Sequence, residues 1–423
     1  MPTENTEAPK CPVAHLRSPE QFNPFTPDFS QAPQKAFMAA QAEQPVFFSP
    51  VMNMWVVTRH ADLKSVMQDT ETFTSGGSFS APAMVSPEAL KIMGGLDHPV
   101  FLYSFINVDP PLHTRFRSNF QQAFTPRQLN LLEPQIRELI NNLLTNLRQH
   151  KRAEVMKTFC DQLPLLTFCR LVGVPDADAP DIRRWSMDYV RIQTPGMSLE
   201  EQQRIGQSIV DYYAYMLTLV RHYANHPAEN LISSVIETRK ETEAPLSDEE
   251  IAGLTVNLVL AGHETTAALI GNTLHSLLNQ RELWDYLCQH PERITAAVDE
   301  FIRHGNPAIG LFRRTSRDVR LGDVMIPKDS TVWIAYLAGN YDADQFPEPE
   351  RLDIHRENAG NHLTFGHGIH YCIGAALAKM EIRLVLEELT RHYPSLRLEP
   401  GQNLMPAPNF ILRTYQEMVL TID

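Results

Sequence analysis

Near its C-terminal end the chain reads Phe365-Gly366-His367-Gly368-Ile369-His370-Tyr371-Cys372-Ile373-Gly374 and then runs into a helical pattern over 375–391. One cysteine is thereby presented at a helix N-terminus. Unpaired amide hydrogens and the positive end of the helix dipole favour the thiolate there, and the thiolate is the form that binds metal. Gly366, Gly368 and Gly374 remove side chains around the sulfur, which suits a loop that must approach a flat, bulky cofactor closely. A lone cysteine is more often a small buried hydrophobe. The spacing F-G-x-G-x-H-x-C-x-G argues for a ligand instead.

A second constellation, Ala261-Gly262-His263-Glu264-Thr265-Thr266, falls in the middle of a helical pattern over 247–278. Its composition is odd for a helix interior, because Gly costs about 1 kcal/mol relative to Ala and Thr hydroxyls compete for backbone carbonyls. The helix is expected to weaken or bend here and to open room for a small ligand. Glu264 and Thr265 then set a carboxyl beside a hydroxyl, a pair suited to delivering protons. His263 reads as a packing or hydrogen-bonding residue.

Two further patterns carry charge. Glu300 and Arg303 lie one helical turn apart and can pair on one face, although an isolated pair of this kind is usually a weak surface contact. The stretch Asp109-Pro110-Pro111-Leu112-His113-Thr114-Arg115-Phe116-Arg117 puts His113 and Arg117 four residues apart, hence on one helical face.

The ten residues around Cys372 resemble the haem-binding loop of the cytochrome P-450 monooxygenases, and the other three patterns follow in that family's order over 109–391. The resemblance implies haem b (iron protoporphyrin IX), with Cys372 as the axial ligand of the iron. It places Phe365, Gly366, Ala261 and Gly262 against the cofactor. His113, Arg117, Arg313 and His370 would meet the haem propionates, and the sequence leaves open whether Arg313 or Arg314 points inward. Leu112 stands where an acidic residue is common. Glu264 and Thr265 match the acid and alcohol that serve oxygen activation. Glu300 and Arg303 match a buried scaffolding pair, with Arg351, in Phe346-Pro347-Glu348-Pro349-Glu350-Arg351, as the third member.

The activity implied is insertion of one oxygen atom from O2 into a small hydrophobic or aromatic substrate, by hydroxylation or oxidative dealkylation. Electrons would come ultimately from NAD(P)H through a ferredoxin and its reductase, or through a fused reductase domain. A peroxide-driven haem-thiolate peroxygenase would share Cys372 but has less need of Glu264 and Thr265. A non-enzymatic haem sensor needs them still less. Candidate substrate-facing positions are Asn257, Leu260 and Ala261 before the acid, Ile309 and Leu311 before the propionate arginine, and Phe410 and Ile411 near the end. Residues 74–105 and 191–199, with their Gly, Pro and Met, are expected as mobile entrance loops. A surface carrying Arg115, Lys379 and Arg383 is the candidate dock for an acidic ferredoxin.

The elements that must position these residues are mostly helical. Patterns at 128–148, 199–226, 247–278 and 291–304 have helical period, whereas 46–59, 319–324, 330–335 and 410–422 look extended. The fold expected is mainly α with small β-sheets, the haem lying between the long central helix and the cysteine loop with its helix. Residues 1–35, rich in Pro and Gln, read as an irregular lead-in, and 36–423 as one domain. The 423 residues include 37 basic and 50 acidic ones, a net charge of -13, which gives no electrostatic support for nucleic-acid binding. Five scattered cysteines and no C-x-x-C argue against a disulfide framework or a zinc site. No apolar stretch is long enough to span a membrane. A cytoplasmic monomer is expected.

Overall fold

The computed structural model describes residues 22–78, 85–95, 97–121, 124–192, 196–240, 242–407 and 409–422. Residues 1–21 of the expected lead-in, and 79–84, 96 and 193–195 of the expected entrance loops, lie outside that set.

The strands form three small sheets. β1 (Val46–Ser49), β2 (Met54–Val57), β3 (Phe73–Thr74), β4 (Arg152–Glu154), β5 (Leu311–Thr315), β6 (Val319–Leu321), β7 (Val324–Ile326), β8 (Thr331–Ile334), β9 (Arg397–Leu398) and β10 (Val419–Thr421) follow in chain order. They pair as β1-β2-β8-β5-β3, β4-β10-β9 and β6-β7. The extended run at 46–59 is therefore a hairpin, turned at Asn53 with φ 52°. The run at 319–324 is likewise the first half of a hairpin turned at Gly322, whose φ of 57° favours glycine.

Helices make up the rest of the frame. Leu199–Asn225, Asp248–Leu278, Glu292–His304 and Ala375–His392 match the periodic segments closely, and the pattern at 128–148 divides into Pro126–Leu143 and Thr145–His150. The Asp248–Leu278 helix is central. Ser247 caps it with a reciprocal pair: its hydroxyl accepts from the Glu250 amide, and the Glu250 carboxylate accepts from the Ser247 amide. Twenty of its residues are buried, so it runs through the core and does not lie on it. The helix continues through Gly262 without a break.

The expected irregular lead-in gives way earlier than residue 35. A short helix, Pro27–Gln31, is capped by Thr26, and Phe22, Phe29 and Phe37 are buried with Phe47 and Trp333 in one aromatic cluster. Apolar aromatic area, not polar composition, decides the fate of 22–35. The described part of 74–105 is also more regular than a loop, with helices at Pro87–Ile92 and Pro99–Leu102.

Candidate active site

On the central helix Asn257, Leu260, Glu264 and Thr265 are half-buried and Ala261 is exposed, while most of their neighbours are buried. Spacings of three and four put these five residues on one face. The helix thus keeps a single open stripe through an otherwise enclosed core. The Thr265 hydroxyl donates to the Ala261 carbonyl at 2.6 Å. Burial raises the Glu264 pKa, Asp161 raises it further, and His263 and Arg183 pull the other way. His263 itself is fully buried, its Nε2 2.9 Å from Asp161 Oδ1, and Asp161 also binds Arg183. It is a packing and hydrogen-bonding residue, as its place in the motif suggested.

Gly262 has a packing role within the protein. A Cβ there would fall 2.0 Å from the Phe168 ring. The glycine lets the Gln162–Val172 helix approach the central helix.

The cysteine loop is shaped by its glycines. Gly366 (φ 70°) and Gly368 (φ 73°) take left-handed backbone, and a Cβ on Gly368 would also meet the Met67 carbonyl oxygen at 2.6 Å. The loop closes when the Cys372 amide donates to the Phe365 carbonyl at 2.8 Å, and the Phe365 ring is buried beneath it. Cys372 is the exposed one of the described cysteines; Cys160 and Cys169 are buried. Surrounding protein raises its thiol pKa, against hydrogen bonds from the Gly374 and Ala375 backbone and the charge of Arg117. Coordination to a metal ion overrides such a rise, since a ligating thiol loses its proton outright.

His113 and Arg117 do share one face of the Leu112–Gln121 helix, and Arg117 Nη2 donates to the Tyr371 carbonyl at 2.6 Å, tying that helix to the loop. Arg313 is buried, whereas Arg314 is half exposed and lies 3.7 Å from Asp329. Strand alternation in β5 decides between them: Arg313 points inward. His113 Nε2 and Arg313 Nε are both buried without a partner. His370 is already engaged, with Nε2 2.9 Å from Ser75 Oγ and Nδ1 3.1 Å from the Phe105 carbonyl. Burial, reinforced by Arg313 and the His113 ring, holds its pKa down to about 3.

Glu300 and Arg303 form the expected buried pair at 2.7 and 2.8 Å, and Arg303 also donates to the Asn340 and Pro349 carbonyls. Their third member is not Arg351. That side chain is 63% exposed and pairs with Glu348, while Arg356 Nε lies 3.1 Å from Glu300 Oε2. Arg351 contributes only its carbonyl, to Arg303 Nη2. The turn after Arg351 carries the chain back, so the later arginine reaches the buried carboxylate. Sequence reading missed it because an arginine in a loop has no period to mark it.

Of the substrate-facing candidates, Leu260 and Ala261 lie on the open stripe. Asn257 lies there too, but its amide is spent on the Val100, Tyr103 and Gly253 carbonyls. Ile309 is 1% exposed and packs with Trp333 in the N-terminal aromatic cluster, which Phe410 also joins. Leu311 packs against the cluster around β2 and β8, and Ile411 gives its carbonyl to the Ile309 amide. Core packing and pocket lining use the same apolar residues.

The docking cations are each already paired. Lys379 lies 2.6 Å from Asp299, Arg115 2.6 Å from Glu250, and Arg383 2.6 Å from Glu133. Beside Cys372 opens a cavity of about 270 Å³, lined by Arg117, Phe124, Tyr371, Ile373 and Lys379 among others.

These residues fit haem. A cysteine sulfur is presented on a glycine-shaped loop, and two buried nitrogens, His113 Nε2 and Arg313 Nε, are left without partners, as groups that take a propionate would be. The family model for cytochrome P450 matches residues 186–420, more than half of the chain. The chain belongs to the cytochrome P450 family. Among curated relatives, this P450 is 32% identical over 414 residues to vitamin D(3) 25-hydroxylase of Pseudonocardia autotrophica, covering 95% of this chain and 97% of that protein. It is 33% identical over 364 residues to mycinamicin IV hydroxylase/epoxidase of Micromonospora griseorubida, covering 85% and 87%. Among solved structures, cytochrome P450 CREJ in complex with (4-ethylphenyl) dihydrogen phosphate superposes with a TM-score of 0.87 at 32% identity, over 96% of this chain and 100% of that one. An intact type IV self-sufficient P450 monooxygenase superposes with a TM-score of 0.88 at 28% identity, over 95% of this chain and 53% of that one. With hydroxylases and monooxygenases as its relatives, the protein is a P450 monooxygenase, and the family's cofactor is haem with O2 as co-substrate. No helix among the described residues is long and apolar enough to cross a membrane.

Proposed function

We propose that this P450 hydroxylates, or oxidatively dealkylates, a small hydrophobic or aromatic substrate. The observation that carries the reading is the open stripe of the central helix, where the methyl groups of Leu260 and Ala261 adjoin the carboxyl of Glu264 and the hydroxyl of Thr265. Bound haem supplies the activation of O2 and the transfer of one oxygen atom to the substrate. Cys372 would hold the iron as an anionic ligand, and His113, Arg117 and Arg313 would take the propionates. Glu264 keeps its proton to higher pH than an exposed carboxyl and so can release it within the site. Thr265, anchored through its own proton to the Ala261 carbonyl, leaves its oxygen lone pairs to accept a hydrogen bond. Leu260 and Ala261 beside that pair leave an apolar surface for the substrate.

Electrons would come from NAD(P)H through a separate ferredoxin and reductase or through a fused reductase, with the chain acting as a cytoplasmic monomer. The carboxyl and hydroxyl pair favours O2 with an electron donor over peroxide as oxidant. The cations meant for ferredoxin are neutralised within the protein, so partner docking would rest on shape and apolar contact at the Phe124, Tyr371 and Ile373 opening more than on net charge. An optical titration of haem-loaded protein with fatty acids, terpenes, steroids and aromatic ethers tests the substrate class. A low-to-high spin shift confined to one class, followed by hydroxylated or dealkylated product with reduced ferredoxin, supports the reading. Product formed with peroxide but not with reduced ferredoxin would replace it with a peroxygenase.

A further inference from the structure

The carboxylate of Asp299 is shared by two residues that stand on opposite sides of Cys372 in the chain. Asp299 precedes Glu300 on the Glu292–His304 helix, yet its partners are different ones. Lys379 Nζ, on the Ala375–His392 helix that follows the cysteine, lies 2.6 Å from Asp299 Oδ1. His362 Nε2, just before the loop, lies 3.5 Å from the same oxygen. The Thr364 amide donates to His362 Nδ1 at 3.3 Å, so in the neutral ring the proton sits on Nε2, toward Asp299. Burial lowers the His362 pKa against the pull of Asp299, which keeps that ring neutral. His362 and Lys379 in turn hold the Asp299 carboxyl down to about 2, so it stays charged.

Both partners also flank one ring. Lys379 Nζ stands 6.0 Å from the centroid of Phe365, within cation–π range, and the His362 ring stands 5.4 Å from it, tilted by 60°. Phe365 is buried, and its carbonyl accepts the Cys372 amide hydrogen that closes the loop. One carboxylate thus fixes the two side chains that hold the residue to which the Cys372 backbone is tied. The Glu300 carboxylate has other business, with Arg303, Arg356 and the Asp353 amide.

We propose that Asp299 is a positioning residue for the cysteine ligand: it braces Lys379 and His362 across the loop, and through them and Phe365 it fixes where Cys372 presents its sulfur. The proposal rests on the haem-thiolate reading of the site. Asp299 itself touches neither the sulfur nor the cofactor. It acts as groups behind a metal ligand act, by orienting that ligand before the metal arrives.

Asp299→Asn keeps the shape and removes the charge, and Asp299→Glu keeps the charge. Both are tested as haem-loaded protein. Hydrogen exchange at the Cys372 amide is expected to quicken by about tenfold in Asp299→Asn and to stay within about threefold of wild type in Asp299→Glu. In the reduced carbonyl complex, the thiolate-type spectrum of Asp299→Asn is expected to decay to the thiol type about tenfold faster on mild warming. Lys379→Gln and His362→Gln each remove one arm of the brace and should give part of both effects. Adding Lys379→Gln to Asp299→Asn should change little further, because both break the same pair. A lower melting temperature with exchange at Cys372 and the spectral lifetime unchanged would make Asp299 a stabilising residue only and overturn the proposal. Where Asp299→Asn takes up no haem, the two single-arm variants decide, and wild-type exchange and spectral lifetime in both would overturn it. A wild-type protein without a thiolate-type spectrum in its reduced carbonyl complex would instead overturn the haem reading, and exchange at the Cys372 amide would still decide the brace.

Discussion

The rings of His113 and His370 stand 4.3 Å apart, centroid to centroid, and tilted by 56°. One is tied up on both sides, by Ser75 and the Phe105 carbonyl, and the other keeps a buried Nε2 with no partner. His370 is thus held on both sides against the His113 ring, while His113 keeps one buried ring nitrogen unpartnered. His113→Ala and Arg313→Ala are therefore expected to speed transfer of haem to an excess of an acceptor globin by about tenfold each, since each removes a charge-assisted or buried hydrogen bond. His370→Phe should have a smaller effect. Equal rates for wild type and His113→Ala would remove His113 from the propionate site.

The buried cluster around Glu300 predicts a contrast between two arginines. Arg356→Ala leaves part of a buried carboxylate unpaired and should cost about 3 kcal/mol, in the range for breaking a buried pair. Arg351→Ala removes an exposed side chain and should stay within about 0.5 kcal/mol. Urea denaturation of both variants measures the difference; similar midpoints would restore Arg351 to the cluster.

Gly262 and Phe168 are predicted to be coupled. Gly262→Ala drives a methyl into the Phe168 ring and should destabilise by about 1–3 kcal/mol. Adding Phe168→Leu should recover part of that loss, giving a double variant better than the sum of the two by about 1 kcal/mol. Strict additivity would show that the glycine serves something other than this contact.

Thr265→Ala should uncouple electron consumption from product, with peroxide released in proportion, and Glu264→Gln should slow turnover by about a hundredfold. The ratio of product to reduced nicotinamide separates the two effects. An unaltered ratio in Thr265→Ala would mean that its hydroxyl does not govern proton delivery.

Acid should destabilise the protein over a definite window. Burial, reinforced by Arg413, holds His275 and His304 down to about 4. In the unfolded chain histidine titrates near ~6.5. The folded form therefore binds fewer protons than the unfolded one between those values, so stability is full above about pH 6.5 and falls as pH drops toward 4, by at most about 1.4 kcal/mol per pH unit for each histidine. Denaturation at pH 7 and pH 5 tests this, and His304→Gln should flatten the dependence. An identical slope in that variant would mean another group carries it.

Local order explains which parts of this account could be read early. The helices 199–225, 248–278, 292–304 and 375–392 announce themselves because burial against a core imposes a 3.6-residue period over many turns. The chemistry-bearing residues Cys372, Glu264, Thr265, Glu300 and Arg303 are readable for a related reason: their partners lie within one turn or one tight loop, so spacing alone places them. The choice of Arg313 over Arg314 became plain once β5 was seen to pair with β8, because pairing fixes which alternate residues face inward.

What lay outside sequence reading depends on contacts between segments far apart in the chain. Arg356 reaches Glu300 across 56 residues, and Phe22 and Phe29 order the lead-in only because Trp333 waits for them. Asn257 shows the same limit most clearly. Its type and place on the helix suggested a pocket residue, and only the fold, by bringing Val100 and Tyr103 to its amide, made it a clamp. Sequence by itself determined the helical frame, the glycine-shaped loop that carries Cys372 and the placing of Glu264 beside Thr265, each of which is local. Tertiary structure alone decided which polar groups are spent on other segments and which remain free for a cofactor or a substrate, because a hydrogen bond is closed by position and not by residue type.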